Sequence, residues 1–454
     1  MKMARRKGKV LIKEGYLLFR DLRYWGLPSH LTIEVTNRCN LRCRHCFQSH
    51  FSFPRGDLRP EVWEAVKKEL PRVKGVSLSS AGEPLLARDF EKYFSFCEAQ
   101  GIPVGITTNA QLLEPFLERL VGRLSQLNVS LDAFSEEGYR RRRGASPAPV
   151  IRALRKLKIL KEACGSELPY LSFIVVLNRE NLKELPDIIH FAAEVGAQQI
   201  YAYHQLFYEE EEFREQSLFF AREEFDTVLR EALHLARKVG VALIHPGSFD
   251  GEIAPHPATE AYLSREKPPF FCRWIFETTA VSWNGFVQAC CFCDRLFMGR
   301  LPKESLEEVW NGPAYRYLRL SFLAGRPPKE CANCQFLQVV SHQKEAFLCP
   351  HREKDLYRET ALLRPEGLPL REAETLYQRG LSLLEAARPA EALDSFLKLA
   401  EKELLYFEAL NAVAVCLALL GKPHRAREFL EKALSLFPDE EILSHNLRQL
   451  ALTD

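Results

Sequence analysis

From about residue 30 to residue 207, short apolar runs alternate with longer amphipathic stretches. The runs at 31–37, 73–80, 103–109, 127–132, 171–178 and 199–204 are rich in branched and aromatic residues and read as strands. Segments 60–70, 90–100 and 150–163 carry apolar residues at helical spacing. Repeated strand–helix units predict a parallel sheet with helices outside it. In parallel barrels the chemistry gathers at the carboxyl ends of the strands.

Past residue 207 the pattern loosens. The acidic run 209–212 reads as a solvated face or linker, and 221–238 as a helix. Residues 351–370 are polar, contain Pro365, Gly367 and Pro369, and read as a linker. In the last segment Leu376, Gly380, Ala392 and Phe396 recur 34 residues later as Leu410, Ala414, Ala426 and Leu430, and Pro438 ends the second copy. This resembles two tetratricopeptide (TPR) helix hairpins closed by a capping helix over 440–450. Such hairpins stack and offer a concave face to a protein partner. A helical appendage that shields the catalytic domain or mediates self-association is the other reading. Residues 1–28 read as a basic amphipathic helix with Tyr16, Leu17, Phe19 and Trp25, suited to peripheral membrane contact or to packing on the barrel.

At 454 residues the chain is too long for one ordinary domain. A formal net charge of +2 gives no global attraction to nucleic acid. There is no run of eighteen or more apolar residues free of charge, and no signal-peptide pattern, so the expected location is cytoplasmic. The 13 cysteines are clustered, which in a long cytosolic chain favours metal or redox chemistry over disulfides. Cys97, Cys164 and Cys416 stand alone on helical patterns and are expected to be buried small hydrophobes.

Cys39, Cys43 and Cys46 follow the first strand at C-x3-C-x2-C spacing. Three thiolates on one loop can hold three irons of a [4Fe–4S] cluster and leave the fourth open. A zinc site, with His45 nearby, is the competing reading. Together with Phe47, the triplet resembles the signature of the radical S-adenosylmethionine (SAM) superfamily. The resemblance implies an α/β fold, a partial (β/α)6 TIM-like barrel over 29–207. It also implies SAM chelated on the open iron and cleaved reductively to methionine and a 5′-deoxyadenosyl radical, with electrons from a flavodoxin or ferredoxin.

Further residues match that family in order. Ala81-Gly82-Glu83-Pro84 is similar to its Gly-Gly-Glu-Pro segment, which holds the methionine amino group. Thr107 and Asn109 end the third strand. Ser130 and Asp132 end the fourth, two positions apart and so on one face, suited to ribose hydroxyls or the methionine moiety. Arg143-Gly144 resembles the family's Arg-Gly, and an arginine there can pair the methionine carboxylate. Which of Arg140–Arg143 does so stays open, the other three being expected in solvent. Val176 and Asn178 fall in the adenine-contacting region, and Asn181 there is equally an N-cap. Each strand-end polar group is also readable as a satisfied cap. No catalytic side chain is assigned.

A second cysteine group occupies 270–350. Cys272, Gly285, Cys290 and the pair Cys331/Cys334 look like the SPASM/twitch extension of radical SAM maturases. The resemblance implies one auxiliary [4Fe–4S] cluster on Cys272, Cys290, Cys331 and Cys334, in a small domain over 270–350 joined to the barrel by 208–269. Zinc fits the same four sulfurs. Gly285 suits a hairpin turn that returns Cys290 toward Cys272. The longer cysteine run of two-cluster members is absent, leaving Cys291, Cys293 and Cys349 without a role. Cys291 stands where sulfatase-maturing enzymes carry their proposed aspartate, which disfavours formylglycine formation. The expected activity is modification of a peptide or protein. Radical SAM chemistry on a small molecule or lipid is one alternative, and a non-enzymatic iron–sulfur or zinc scaffold with a TPR-like tail over 371–454 is another.

Overall fold

The computed structural model describes residues 27–260, 272, 274–290, 296–312, 314–315, 318–319, 331, 347, 369–401, 406–436 and 441–451. The expected N-terminal helix (except 27–28), most of the linker 351–370, and Cys291, Cys293, Cys334, Cys349 and Pro438 lie outside the described residues.

All six strands read from the sequence form: β1 (His30–Ile33), β2 (Gly75–Ser77), β3 (Val104–Thr108), β4 (Gln126–Ser130), β5 (Tyr170–Leu177) and β6 (Gln199–His204). They lie side by side in that order, each parallel to the next. Helices α1 (Pro60–Lys67), α2 (Phe90–Ala99), α3 (Glu136–Arg143), α4 (Ala148–Cys164) and α5 (Leu185–Glu194) fall between them. Strand ladders are shorter than the apolar runs. Beyond Ile33, for example, the chain stays extended but bonds to loops, with Leu58 N donating to Val35 O at 2.9 Å.

The sheet extends past the six expected strands on both sides. Within 208–269, helix α6 (Arg222–Val239) leads to β7 (Ala242–Ile244), which pairs parallel with β6. The helix matches the one read over 221–238, but three residues are too few to show an alternation, so the strand was not legible. At the other edge β8 (Thr278–Val281) pairs parallel with β1 and is followed by antiparallel β9 (Phe286–Gln288) and β10 (Phe297–Arg300). The strands of the cysteine-rich segment therefore continue the barrel sheet rather than making one of their own. They also cover the ladder groups that β1 would expose as an edge.

The two sides of the strands differ. Along β3 and β4 Val104, Ile106, Leu127 and Val129 are buried, while Thr107, Gln126, Asn128 and Ser130 on the alternate positions are half-buried. β5 and β6 add Val176, Tyr201 and Tyr203 to the second face. Side chains two apart share a face, so one face is apolar and packs under the helices. The other is a partly open, mostly polar lining, cross-linked by Asn128 Nδ2 donating to Thr107 Oγ1 at 3.3 Å.

The C-terminal region is helical, with a core of its own. Helices α8 (Pro369–Glu385), α9 (Pro389–Glu401), α10 (Tyr406–Leu419), α11 (Pro423–Leu436) and α12 (Glu441–Ala451) pack each on the next, following α7 (Leu306–Trp310) in the chain. The recurring residues are its core: Ala392, Phe396, Leu410, Ala414, Ala426 and Leu430 are buried. Gly380 makes room for a ring, since a Cβ there would stand 2.4 Å from Phe396. Phe396→Ala is expected to destabilise this unit by about 3–5 kcal/mol. Hydrogen exchange should quicken across 369–451 and stay unchanged in β3–β5; equal change in both would refute a separate core.

Candidate functional site

The loop after β1 carries the cysteine triplet at the carboxyl end of the strands. It is tied down at several points. Asn37 donates through Nδ2 to Pro54 O at 2.8 Å and accepts from Gly56 N at 2.8 Å. Cys46 N closes a turn on Cys43 O at 3.1 Å. Gln48 Nε2 donates to Asn37 O at 2.9 Å and to Ala81 O at 2.6 Å, joining the cysteine loop to the loop after β2. Arg55 holds the other end of that amide.

Gly82 sits where these loops touch. A Cβ there would lie 2.3 Å from Thr36 O and 2.7 Å from Arg38 O, so the close approach admits only glycine. Glu83 is buried and faces inward. Its Oε1 accepts from Thr108 Oγ1 at 2.7 Å and Leu85 N at 3.2 Å, and its Oε2 accepts from Asn109 N at 2.7 Å. Burial raises its pKa against these three donors. Pro84 opens a short 3-10 turn. Asn109 in turn reaches the cysteine loop, donating to Asn40 Oδ1 at 2.8 Å and to Cys39 Sγ at 3.8 Å.

The fourth strand end departs from expectation. β4 stops at Ser130, which is half-buried, whereas Asp132 is fully buried. Asp132 Oδ1 accepts from Val176 N at 2.8 Å, and Oδ2 lies 2.6 Å from Arg143 Nη2 and 3.4 Å from His45 Nε2. Desolvation opposes its charge, but Arg143 and His45 outweigh it and hold the carboxyl at about 2. Asp132 is thus an internal anchor and does not share Ser130's face. The arginines also differ from expectation. Arg140 and Arg141 are exposed and paired with Glu136 and Glu137, but both Arg142 and Arg143 are buried. Arg142 Nη2 donates to Val176 O at 2.9 Å and Gln205 Oε1 at 3.3 Å. Asn181 does not cap its turn with its side chain. It donates instead to Asp132 O at 2.7 Å and Val176 O at 2.9 Å. Asn178 Nδ2 donates to Gln205 Oε1 at 3.1 Å.

Burial raises the Cys39 and Cys43 thiols and pushes Cys46 up to about 12. Each of Cys43 and Cys46 also feels the charge of its neighbours in the triplet. Metal coordination is what deprotonates such thiols outright. Around them, Arg142 Nε, Arg143 Nε and His45 Nδ1 are buried donor or acceptor atoms without a partner among the described residues. Three soft sulfurs with cationic donors beside them fit an anionic, thiolate-ligated cluster. Among the described residues no three Cys, His, Asp or Glu side chains gather as ligands of a single ion.

In the second cysteine group, β8 and β9 are joined by a tight turn in which Gly285 has φ +93° and Gly285 N donates to Ser282 O at 2.9 Å. Cys272, Cys290 and Cys331 pack against the main core. Of the isolated cysteines, Cys97 and Cys416 are buried as expected, but Cys164, the last residue of α4, is exposed.

Residues 33–192 match the radical SAM superfamily model, and residues 272–335 match an iron-sulfur cluster-binding domain, SPASM. The chain thus carries a radical SAM domain and a SPASM domain. A radical SAM domain implies a [4Fe–4S] cluster and SAM, and a SPASM domain implies auxiliary iron–sulfur binding. The chain is 27% identical over 176 residues to the tungsten-containing aldehyde ferredoxin oxidoreductase cofactor-modifying protein of Pyrococcus furiosus, covering 37% of this chain and 49% of that one. It is 25% identical to the Fe-coproporphyrin III synthase of Methanosarcina barkeri, covering 69% and 85%. It is 24% identical to the PqqA peptide cyclase of Xanthomonas campestris, covering 68% and 79%. The chain thus spans about half the length of the first of these relatives. In fold it is similar to Streptococcus suis SuiB bound to SAM, with a TM-score of 0.52 at 19% identity over 74% of this chain and 76% of that one.

Sequence reasoning missed Gln48, Gln205 and Glu34. Glu34 carried a signal: a carboxylate in a strand otherwise made for burial on both faces. Its oxygens accept from Ala81 N at 3.4 Å and Trp283 N at 3.1 Å. Because Glu83 faces only donors, Glu83→Gln turns an amide N–H₂ toward one of them. We expect a loss of about 1–3 kcal/mol of stability, measured by denaturant unfolding; an unchanged midpoint would contradict the inward role.

Proposed function

We propose that the protein reductively cleaves SAM and uses the resulting radical to modify a peptide or protein. The observation that carries the reading is the cysteine triplet at the carboxyl end of the parallel strands, at the rim of the half-buried polar face and beside buried cationic donors. When bound, the cluster and SAM supply the electron and the 5′-deoxyadenosyl radical.

The chain's own residues would hold these groups as follows. Cys39, Cys43 and Cys46 ligate the first cluster. The backbone at Gly82, Glu83 and Pro84, packed against 36–38, presents acceptors to the methionine ammonium. Thr107, Asn109 and Ser130 offer hydroxyl and amide groups near the strand ends, Val176 offers an apolar surface to the adenine, and Asn178 positions the turn beside it. Cys272, Cys290, Cys331 and Cys334 hold one auxiliary cluster. A flavodoxin or ferredoxin delivers the electron. The helical tail over 371–454, read as TPR-like hairpins, grips the polypeptide substrate or its carrier, or another copy of the chain. Among the described residues no helix is long and apolar enough to cross a membrane; contact of the N-terminal segment with a membrane surface remains part of the proposal.

Support for a peptide substrate comes from the PqqA peptide cyclase relative, matched over 68% of this chain. The similar coverage of the Fe-coproporphyrin III synthase supports a second reading, radical SAM chemistry on a small molecule. Reconstituted protein, given SAM and a low-potential reductant, should release 5′-deoxyadenosine. Replacing Cys39, Cys43 and Cys46 by alanine should bring release to background. Absence of 5′-deoxyadenosine from a cluster-loaded wild type would sink the proposal.

A further inference from the structure

Arg143 does not stand free to meet a ligand. Its Nη2 lies 2.6 Å from Asp132 Oδ2, and its Nη1 donates to Cys43 Sγ at 3.7 Å. Arg143 is 4% exposed and Asp132 0%. His45 Nε2 stands 3.4 Å from the same carboxylate oxygen, and Val176 N fixes the other at 2.8 Å. Asp132 is therefore held from β5 and from the cysteine loop, and it holds the arginine in turn. The result is a fixed positive charge and an N–H donor aimed at a sulfur of the triplet.

Hydrogen bonds to ligating sulfurs and nearby charge set the potential of an iron–sulfur cluster. A cation stabilises the reduced cluster, which carries one more negative charge. Cys39 receives weaker, neutral contacts, from Leu41 N at 3.4 Å and Asn109 Nδ2 at 3.8 Å. Among the described residues, the Arg143 contact to Cys43 is the hydrogen bond to a triplet sulfur that carries a charge. We infer that the buried Asp132–Arg143 pair is a positioning device that sets the reduction potential of the triplet's cluster through Cys43, rather than a binder of the methionine carboxylate. The inference rests on the reading of Cys39, Cys43 and Cys46 as cluster ligands.

The test is a redox titration of the SAM-free, reconstituted full chain, followed by electron paramagnetic resonance, with SAM affinity measured separately by equilibrium binding. The variants are Asp132→Asn, Arg143→Lys and the double change Arg143→Met with Asp132→Asn, which removes both buried charges together and leaves neither uncompensated. A second set with Cys272, Cys290 and Cys331 replaced by alanine isolates the triplet's signal. The midpoint should rise in Asp132→Asn, fall in the double variant, and stay nearest to wild type in Arg143→Lys. Midpoints that coincide across all four proteins at equal iron content would overturn the inference. So would a loss of SAM affinity in the double variant without a change of midpoint, which assigns Arg143 to the methionine carboxylate. A wild type that takes up no cluster overturns the ligand reading as well.

Discussion

Three buried carboxylates hold the carboxyl end of this sheet together. A parallel strand that stops leaves backbone donors in the loops beyond it, and buried donors must be met. Glu34 accepts from Ala81 N and Trp283 N, Glu83 from Leu85 N and Asn109 N, and Asp132 from Val176 N. Each carboxylate joins segments distant in the chain. Burying a charge is costly unless it is paired and hydrogen-bonded. These groups are therefore weak sources of stability and strong constraints on geometry, which suits loops that must hold a site in one arrangement.

The same rim is clamped from the SPASM side. Phe47 and Phe53 of the cysteine loop stack at 5.3 Å and share a small core with Phe286 and Phe297 of β9 and β10. Trp283 lies over Gly56, where a Cβ would come within 2.4 Å of its ring. β8 is bonded to β1 in register, His30 opposite Thr278. The segment carrying Cys290 is thus fixed against the loop carrying Cys39, Cys43 and Cys46 by sheet pairing and ring packing together. Rigid elements position a site better than loops alone.

Much of this was legible. The six strands followed from periodicity, their parallel pairing from the repeated strand–helix units, and Gly285 from the need for a turn. What escaped has physical reasons. β7 is three residues long. β8 joins the first strand across more than 240 residues of chain, a pairing no local pattern announces. Asp132 and Glu83 have the residue types that a ligand site wants, but strand-end carboxylates serve equally to bind stray backbone N–H groups, and only the coordinates distinguish the two. The four successive arginines looked alike, yet helical geometry sends Arg140 and Arg141 to glutamates one turn back and Arg142 and Arg143 inward.

That division of the arginines bears on how such a site can be reduced at all. A cluster on three desolvated thiolates gathers negative charge in a place that disfavours it, and each added electron meets the repulsion of the last. Solvent relieves this only in part where the thiols are half-buried. A fixed guanidinium can, without reorganising, because Asp132 already holds it in place. The anchor moderates the cation as well, since the carboxylate offsets part of its charge. Balance between the two charges, rather than either one alone, is the quantity the fold controls through the distance from Arg143 to Cys43.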